Sequence, residues 1–281
     1  PSNFMPATCP WDGKPGMTSE LFPGKPLPGN GCQTAIKITT MKDHSIKSAQ
    51  AGSVSQPTRI IRSPYEQIAE LQGGVFNFNF QRSVLWMEEK GKMLFGENFA
   101  IDPGDLQLIY KLLVYAIGDK ENAERHGLSL RKGLLISGPI GCGKSALSRL
   151  ISYFCPREKQ FLVKPTREIS FEFEKDGYSV INHYSKGSYF RIGGMPVPKV
   201  YCFDDLGLEQ TPKHFGNECN VMAEILLARY DLFVSKRMLT HLTTNLSASE
   251  LESFYGNRIR SRMREMFNLV AFDKDAKDKR S

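Results

Sequence analysis

A glycine-rich segment has the residue types and spacing that bind phosphate. Residues 138–145 read GPIGCGKS, which fits the P-loop pattern G-x-x-x-x-G-K-[ST]. An apolar run at 133–136 predicts a buried strand before it, and helical spacing at 146–151 predicts a helix after it. Glycines let backbone N–H groups approach phosphate oxygens, and a helix N-terminus adds positive potential. The sequence therefore predicts a bound nucleoside triphosphate.

The individual roles follow from the chemistry of each side chain. Lys144 would reach the outer phosphates, and the Ser145 hydroxyl would bind Mg²⁺. The predicted nucleotide-binding residues are Gly138, Pro139, Ile140, Gly141, Cys142, Gly143, Lys144, Ser145 and Ala146.

Two adjacent carboxylates follow a second apolar run. Residues 200–203 predict a strand, and Asp204 and Asp205 end it about 60 residues after Lys144. This pattern suits a Walker B strand that lies beside the P-loop strand in a parallel sheet. Ligands of such sheets bind at the carboxyl ends of the strands. Asp204 would hold Mg²⁺, mostly through water, and Asp205 would polarise the attacking water. An acidic turn between strand and loop is the alternative.

A polar amide follows the next predicted strand. Residues 239–244 form that strand, and Asn245 comes directly after it. An asparagine there could hydrogen-bond the γ-phosphate or position the attacking water, the task called sensor 1. Alternatively, Asn245 or Ser247 caps the helix that begins near Ser249.

Four arginines alternate along a predicted helix over residues 257–267. Arg258 and Arg262 share one face, whereas Arg260 and Arg264 share roughly the opposite face. A third, apolar stripe that packs on the core consists of Ile259, Met263 and Met266. Two basic faces suit two partners, one a nucleotide on a neighbouring subunit and the other a nucleic acid or an acidic neighbour. A solvated charged surface is the alternative.

The composition favours a cytoplasmic protein with a polyanionic partner. The net charge is +7 and the pI is near 9.0, which points first to nucleic acid; a solvated basic surface is the alternative. The six cysteines show no C-x-x-C spacing, so we expect reduced thiols. No apolar run is long enough to span a bilayer and no signal-peptide core is evident, which predicts no membrane partner.

Strand-like and helix-like runs alternate over residues 101–272, which predicts a parallel, three-layer α/β sheet. Residues 57–100 are expected to form a small, divergent N-terminal appendage, in which residues 75–80 alternate like a strand. The charged tail, residues 273–281, is expected to be frayed.

The first 56 residues differ in composition from the rest. They are rich in Pro, Gly, Ser and Thr and lack apolar periodicity, so we expect residues 1–56 to be disordered. Met41 is a candidate natural start, in which case residues 1–40 are not native.

Taken as a set, the motifs resemble one branch of the AAA+ ATPases, the DnaC/DnaI helicase loaders and the IstB transposition helpers. The resemblance covers roughly residues 100–272. The matching segments are 138–145, 203–209, 228–231, 243–247 and 255–262. It implies a three-layer P-loop NTPase (AAA+/ASCE) with a five-stranded parallel sheet, ATP with Mg²⁺, and single-stranded DNA as a partner.

The resemblance also implies a homo-oligomer with shared active sites. Arg258 would be an arginine finger acting in trans, with Arg262 at the same interface. Asp205 stands where AAA+ proteins at large usually have Glu, although Asp-Asp-Leu-Gly is usual in this branch. The N-terminal region has no Cys/His cluster for zinc and matches no helicase-docking domain. Little chain follows the last strand, so no separate lid domain is expected.

Residues 184–191 mix aromatic and basic side chains, the combination that holds single strands by stacking and charge. Lys186 and Phe190 are DNA-binding candidates there, and Arg260 and Arg264 are candidates on the second basic face of their helix. An ordinary surface loop is the alternative for residues 184–191.

The predicted function is ATP hydrolysis by a protein that loads a replicative helicase in DNA replication. The closest alternative is an ATPase helper of a transposase. A P-loop kinase and a nucleotide-gated adaptor are further alternatives. The arginines after Gly256 and the Asp-Asp strand end argue against the kinase.

Overall fold

The structure is a computed structural model that describes residues 36–39, 62–209, 213–214 and 217–280. These residues all belong to one compact unit. The strands are β1 (Ile36–Thr39), β2 (Glu70–Gln72), β3 (Val75–Asn79), β4 (Gly133–Ser137), β5 (Phe161–Pro165), β6 (Tyr189–Ile192), β7 (Met195–Pro198), β8 (Val200–Leu206), β9 (Lys213–His214), β10 (Asn217–Glu218), β11 (Thr240–Thr244) and β12 (Phe267–Ala271).

The helices are α1 (Pro64–Gln67), α2 (Phe80–Phe95), α3 (Leu106–Ile117), α4 (Lys120–Arg125), α5 (Lys144–Ser152), α6 (Thr166–Asp176), α7 (Ser179–Tyr184), α8 (Val221–Lys236) and α9 (Ala248–Met266). Short 3₁₀ turns at Pro103–Asp105 and Arg157–Lys159 precede α3 and β5. Asp102 caps the first of these turns by accepting a hydrogen bond from the Gly104 N–H, so the chain enters α3 at a fixed angle.

Five strands form a central, wholly parallel sheet in the order β12–β4–β11–β8–β5. The predicted three-layer fold with five parallel strands is confirmed. The prediction that the Walker B strand lies beside the P-loop strand is wrong, because β11 lies between β4 and β8. The end of β11, where Asn245 follows, therefore lies between the P-loop and the two carboxylates.

Side chains of strand β8 contribute to the hydrophobic cores on both faces of the sheet. Val200 and Cys202 are buried in one hydrophobic core, with residues of α2, α3 and α5. Tyr201 and Phe203 are buried in the other, with residues of α6, α7, α8 and α9. Because successive side chains of a strand point to opposite faces, Asp204 continues the face of Cys202 and points toward α5.

The region before α3 packs into the first of these cores. Strand β3 pairs with β1 in parallel and with β2 antiparallel. Phe78 of β3 and Trp86 of α2 lie against Phe154, with ring centroids 5.9 and 5.2 Å away. From residue 62 onward, the expected appendage is thus continuous with the core of the main domain.

The predicted strand at 75–80 is confirmed as β3. The predicted disorder of residues 1–56 is wrong for 36–39, which form β1; the other residues of that segment, Met41 included, lie outside the described residues. Strand β1 is held by its pairing with β3 and by Asp119, whose carboxylate accepts a hydrogen bond from the Ile38 N–H at 3.0 Å.

An antiparallel hairpin, β6–β7, lies between α7 and β8. Gly193 and Gly194 form its turn with φ of +57° and +85°, a conformation that glycine adopts without strain. The base of the hairpin is held by the fully buried guanidinium of Arg229. Its hydrogen-bond acceptors are the carbonyl oxygens of Tyr184 (2.8 Å), Lys199 (3.1 Å) and Leu239 (2.7 Å) and the hydroxyl of Thr240 (2.6 Å).

Burial lowers the pKa of Arg229 to about 10. The guanidinium also lies over the rings of Tyr201 and Phe203, 5.6 and 5.7 Å from their centroids, so the charge is stabilised from the sides by π faces. Arg229 thus fastens the two ends of the hairpin segment to the sheet.

Candidate nucleotide-binding and hydrolysis site

The P-loop connects β4 to α5, as the sequence predicts. Gly141 and Gly143 have φ of +78° and +101°, the left-handed region that glycine tolerates. The Lys144 ammonium is largely buried and donates to the carbonyl oxygens of Gly138 (3.0 Å) and Pro139 (2.8 Å). The predicted phosphate-binding residues therefore form one continuous loop at the N-terminus of α5.

Cys142 lies inside this loop. Its side chain is fully buried, and burial raises the pKa of the thiol. A thiol held neutral in this way is a packing group rather than a nucleophile.

Ser145 and Asp204 meet at the face of the sheet that carries α5. The Ser145 hydroxyl donates to a carboxylate oxygen of Asp204 at 3.0 Å. Two oxygens that bind one Mg²⁺ in adjacent positions lie about 3 Å apart, since each Mg–O distance is about 2.1 Å. The separation and the hard oxygen donors of this pair therefore fit a magnesium ion.

Thr243 joins the same carboxylate from the neighbouring strand β11. Its hydroxyl donates to Asp204 at 2.6 Å and accepts a hydrogen bond from the Asp205 N–H at 2.8 Å. The side chain of Thr243 is fully buried, so this hydroxyl fixes the end of β8 without contact with solvent.

Asp205 adopts a backbone conformation that is uncommon for a residue with a side chain. Its φ is +56°, a local strain that surrounding contacts must offset. Besides the bond to Thr243, its carbonyl oxygen accepts from the Thr166 hydroxyl at 2.9 Å. Burial, and then the charge of Asp204, raise the pKa of the Asp205 carboxyl, while Lys144 and Arg280 act in the opposite direction. A raised pKa suits a carboxylate that accepts a proton from water.

Asn245 does not cap the helix that follows it. The cap of α9 is Ser247, whose hydroxyl accepts from the Glu250 N–H while the Glu250 carboxylate accepts from the Ser247 N–H. The Asn245 Oδ1 atom is buried and has no hydrogen-bond partner among the described residues. An unpaired buried carbonyl oxygen is costly, and a water or phosphate-bound water at the end of β11 would satisfy it.

The loop after β8 is tied to the first half of α9. Glu209 is buried, its carboxylate accepts from the Gly207 N–H at 2.7 Å, and the Tyr255 hydroxyl donates to it. Gly207 has a φ of +101°, and a Cβ atom there would lie 2.3 Å from Leu246. The segments that carry Asp205, Asn245 and Arg258 are therefore packed directly on one another.

The two helices that the sequence predicts, one beginning near Ser249 and one over residues 257–267, are the two halves of α9. Helix α9 starts at Ala248, and Gly256 interrupts it with φ of 81° and ψ of 161°. Arg258 follows the break and is exposed. The second half of α9 packs on the core through the predicted stripe of Ile259, Met263 and Met266, all of which are buried.

The other arginines of α9 differ in their surroundings. Arg262 lies over the ring of Tyr230, 4.6 Å from the centroid, and Arg260 forms an ion pair with Glu252. Arg264 is exposed, and its carbonyl oxygen accepts from Lys132 at 2.8 Å. The structure thus gives Arg258 and Arg264 solvent-facing side chains, whereas Arg260 and Arg262 have partners within the chain.

Of the two DNA-binding candidates in residues 184–191, one lies on a strand and one in a turn. Phe190 is half-buried on β6, and Lys186 is exposed just after α7. Lys186 borders an open groove between α7 and α8 that the carboxylates of Glu224 and Asp231 also line. Two carboxylates therefore share this groove with Lys186, which disfavours a phosphate inside it.

The C-terminal tail differs from the frayed segment that the sequence predicts. The Lys279 N–H donates to the Gly141 carbonyl at 3.0 Å, and the Lys279 ammonium donates to the Cys142 carbonyl at 2.9 Å. Residues 273–280 therefore fold back onto the P-loop.

Sequence reasoning missed both Thr243 and Lys279. Thr243 lies near the end of the predicted strand 239–244, where the alternation of side chains could have identified it as a site residue. Lys279 had no local signal, since it is 137 positions from Cys142.

No cluster of His, Cys, Asp and Glu side chains suited to a metal ion occurs among the described residues. In the same ranges, no helix has the length and apolar character needed to cross a bilayer.

Comparisons with known proteins give likenesses of fold only. No family model matches the chain, and no curated protein matches it. Solved structures similar to it include a DnaC helicase loader (16% identity, TM-score 0.42, covering 62% of this chain and 92% of that one). A DnaI structure has 19% identity and a TM-score of 0.42, covering 64% and 90%. AMPPCP-bound DnaA from Aquifex aeolicus has 18% identity and a TM-score of 0.43, covering 65% and 51%. By its own strand order and phosphate loop, the chain has the three-layer α/β architecture of a P-loop NTPase.

Proposed function

We propose that this chain is a cytoplasmic AAA+ ATPase that hydrolyses ATP with Mg²⁺, assembles as a homo-oligomer, binds single-stranded DNA and loads a replicative helicase. The observation that carries the hydrolase assignment is the contact between Ser145 and Asp204 at the mouth of the P-loop. The loader assignment rests on the motif set of the sequence, of which the segments 138–145, 203–209 and 243–247 lie at the carboxyl ends of β4, β8 and β11.

The chain's own groups have distinct tasks in this proposal. The P-loop N–H groups and Lys144 bind and orient the phosphates. Asp205 accepts the proton of the attacking water, and Asn245 Oδ1 orients that water. Ser145 and Asp204 would hold Mg²⁺, which would supply charge neutralisation at the phosphates.

The oligomer is proposed from the position of Arg258. Its side chain is exposed and follows the break at Gly256, so it projects from the body of its own subunit. A guanidinium from a neighbour would stabilise the charge that develops on the transferred phosphoryl group. Each active site would then be shared by two subunits.

DNA binding is proposed for the exposed cations and for the aromatic ring of the hairpin. The net charge of +7 provides long-range attraction. Lys186 is exposed and Phe190 is half-buried, and a half-exposed ring can stack on an unpaired base. Arg264 adds an exposed cation on α9, whereas Arg260 would first have to leave Glu252.

Two experiments test the proposed function. Purified protein should hydrolyse ATP in the presence of Mg²⁺, and Asp204→Asn should lose that activity while the chain stays folded by circular dichroism. The folded wild-type protein failing to hydrolyse ATP, with or without single-stranded DNA, would remove the hydrolase assignment.

The second experiment identifies the partner. The tagged protein is crosslinked in its native host with ATP present, and partners are identified by mass spectrometry. A replicative helicase that is retained by wild type and lost in Lys144→Ala supports the loader. A transposase retained in the same way would replace the loader assignment by the transposition-helper alternative.

A further inference from the structure

The last residues of the chain contact the P-loop at several points. After β12, the Phe272 N–H donates to the Ser137 carbonyl at 2.8 Å, which directs the chain over the end of β4. Lys279 then contacts the loop through both its backbone and its side chain. Its N–H donates to Gly141, and its ammonium donates to the Cys142 carbonyl and pairs with Asp105 at the start of α3.

We propose that Lys279 is a positioning residue of the nucleotide site and that the C-terminal tail braces the P-loop in its phosphate-binding form. This inference rests on the proposed binding of ATP at the loop and adds to it a residue outside the glycine-rich motif. Lys279 joins two parts of the fold, the P-loop and the segment that enters α3, that share no other bond described above.

The tail could either support nucleotide binding or compete with it, and the backbone groups of the loop that it contacts distinguish these two roles. The tail binds the carbonyl oxygens of Gly141 and Cys142. A phosphate in a P-loop binds the backbone N–H groups of the same loop. The two ligands therefore use different groups, and a peptide plane whose carbonyl is held on one side presents its N–H on the other.

Close packing supports the same view. A Cβ atom at Gly141 would lie 2.0 Å from a carboxylate oxygen of Asp278, and one at Gly143 would lie 3.8 Å from the Lys279 stem. The positive φ of Gly141 favours glycine there, and the Asp278 side chain occupies the space beside its Cα atom. The shape of the loop and the shape of the tail are complementary.

The tail brings charges of both signs to the loop, since the Asp278 carboxylate lies against Gly141 and the Lys279 ammonium contacts Cys142. The Lys279 ammonium lies between the Asp105 carboxylate and the Cys142 carbonyl and 5.3 Å from the Phe272 ring centroid.

The test measures two properties of the full chain. The first is the dissociation constant for a fluorescent non-hydrolysable ATP analogue with Mg²⁺. The second is amide hydrogen exchange of residues 140–145 without nucleotide. Lys279→Met keeps the stem and removes the charge, and the matched control is Lys277→Met, an exposed lysine of the same tail.

We expect Lys279→Met to raise the dissociation constant roughly tenfold and to speed exchange of the loop amides by a similar factor, the size of a lost charge-assisted hydrogen bond. Lys279→Arg should restore most of both, and Lys277→Met should change neither. Asp105→Asn should act in the same direction, and combining it with Lys279→Met should add little because both remove one contact.

Three outcomes would overturn the proposal. Tighter nucleotide binding by Lys279→Met would mean that the tail competes with the nucleotide. Unchanged exchange of the loop amides would mean that the tail does not brace the loop. No rescue by Lys279→Arg would remove the role of the cation. If the wild type bound no nucleotide, the proposed ATPase would fail, while the exchange measurement would still decide on the brace.

Discussion

The Thr243 hydroxyl and the Asp204 carboxylate lie 2.6 Å apart, on neighbouring strands of the central sheet. The same hydroxyl accepts from the Asp205 N–H at 2.8 Å. One buried oxygen thus fixes both acidic residues at the end of β8. The position of Asp204, the proposed magnesium ligand, is thereby coupled to β11, the strand that Asn245 follows.

Removing this hydroxyl should slow hydrolysis more than it weakens binding. Thr243→Val deletes the donor to Asp204 at nearly constant volume, and we expect kcat to fall roughly tenfold with little change in KM, the effect of losing a bond to a charged group. Thr243→Ser keeps the hydroxyl and should retain most of the activity. Steady-state kinetics of the three proteins check this; equal rates for Val and wild type would contradict it.

Arg258 should be needed by a neighbouring subunit and not by its own. We expect Arg258→Ala to reduce hydrolysis by about 10³-fold or more while ATP binding persists, because an arginine finger acts on the transition state. Mixing it with Lys144→Ala should restore part of the activity, since mixed oligomers contain complete sites. Arg131→Ala, at another exposed arginine, is the control.

Specific activity should also rise with protein concentration if sites are shared. Activity per subunit is measured across a dilution series with analytical ultracentrifugation in parallel. Turnover that stays constant while the protein dissociates to monomers would rule out the shared site.

The rate of hydrolysis should fall on acidification at a pH above the usual range of aspartate. Burial and the neighbouring Asp204 raise the pKa of Asp205, so this carboxyl is protonated, and inactive as a base, at a pH where an ordinary aspartate is ionised. Asp205→Asn should abolish the acid limb together with most of the rate. Arg280→Ala should move the limb to higher pH, because Arg280 lowers that pKa. A pH–rate profile of kcat measures both shifts; normal turnover by Asp205→Asn would contradict the assigned role.

Acid should destabilise the fold through His241. Burial lowers the pKa of this histidine to about 3 from 6.5, and its Nδ1 accepts from the Leu134 N–H at 3.0 Å. Because the unfolded chain takes up the proton first, the free energy of unfolding should fall as the pH drops from about 6.5 toward 3, by up to about 1.4 kcal/mol per pH unit.

The variant His241→Asn separates this term from other acid effects. Its amide oxygen can accept the same N–H, so we expect a folded protein whose stability depends less steeply on pH between 4 and 6.5, by about one proton. Urea unfolding at several pH values gives the slope. His126→Asn, at an exposed histidine, is the control; identical slopes for wild type and His241→Asn would exclude the assignment.

DNA affinity should depend on salt and on the hairpin face. We expect Lys186→Ala to weaken binding of single-stranded DNA at all salt concentrations and to reduce the salt slope by about 1. Phe190→Ala should weaken binding by about 1–3 kcal/mol with an unchanged slope, because stacking releases no counterions. Fluorescence anisotropy between 50 and 300 mM salt, with Lys120→Ala as control, distinguishes these effects; a flat salt response would exclude phosphate contacts.

Local signals were sufficient for the P-loop and for the carboxylates. The glycines, Lys144 and Ser145 lie within a short segment with a strand before it and a helix after it, so their geometry is fixed by neighbours in sequence. Asp204 and Asp205 end a strand whose apolar residues are consecutive. The alternation of strands and helices then fixed the three-layer class.

Relations between distant segments could not be predicted in this way. The order of parallel strands is set by crossover connections, so nothing local places β11 between β4 and β8. The contact of Lys279 with the P-loop likewise depends on where β12 ends. The hairpin did have a signal, since Gly193-Gly194 between two short runs is typical of a tight turn, but the aromatic and basic residues around it favoured a loop.

The buried Arg229 has a consequence for engineering. Since its guanidinium holds the chain at Tyr184 and again at Lys199, we expect a change at the hairpin turn, Gly193-Gly194, to leave the sheet that carries the nucleotide site undisturbed. We therefore expect that a short affinity epitope inserted at Gly193-Gly194 would allow the proposed oligomer to be captured without a loss of ATP hydrolysis. The same hydrogen bonds of Arg229 would allow the turn of the hairpin to change in sequence during evolution while the sheet stays the same.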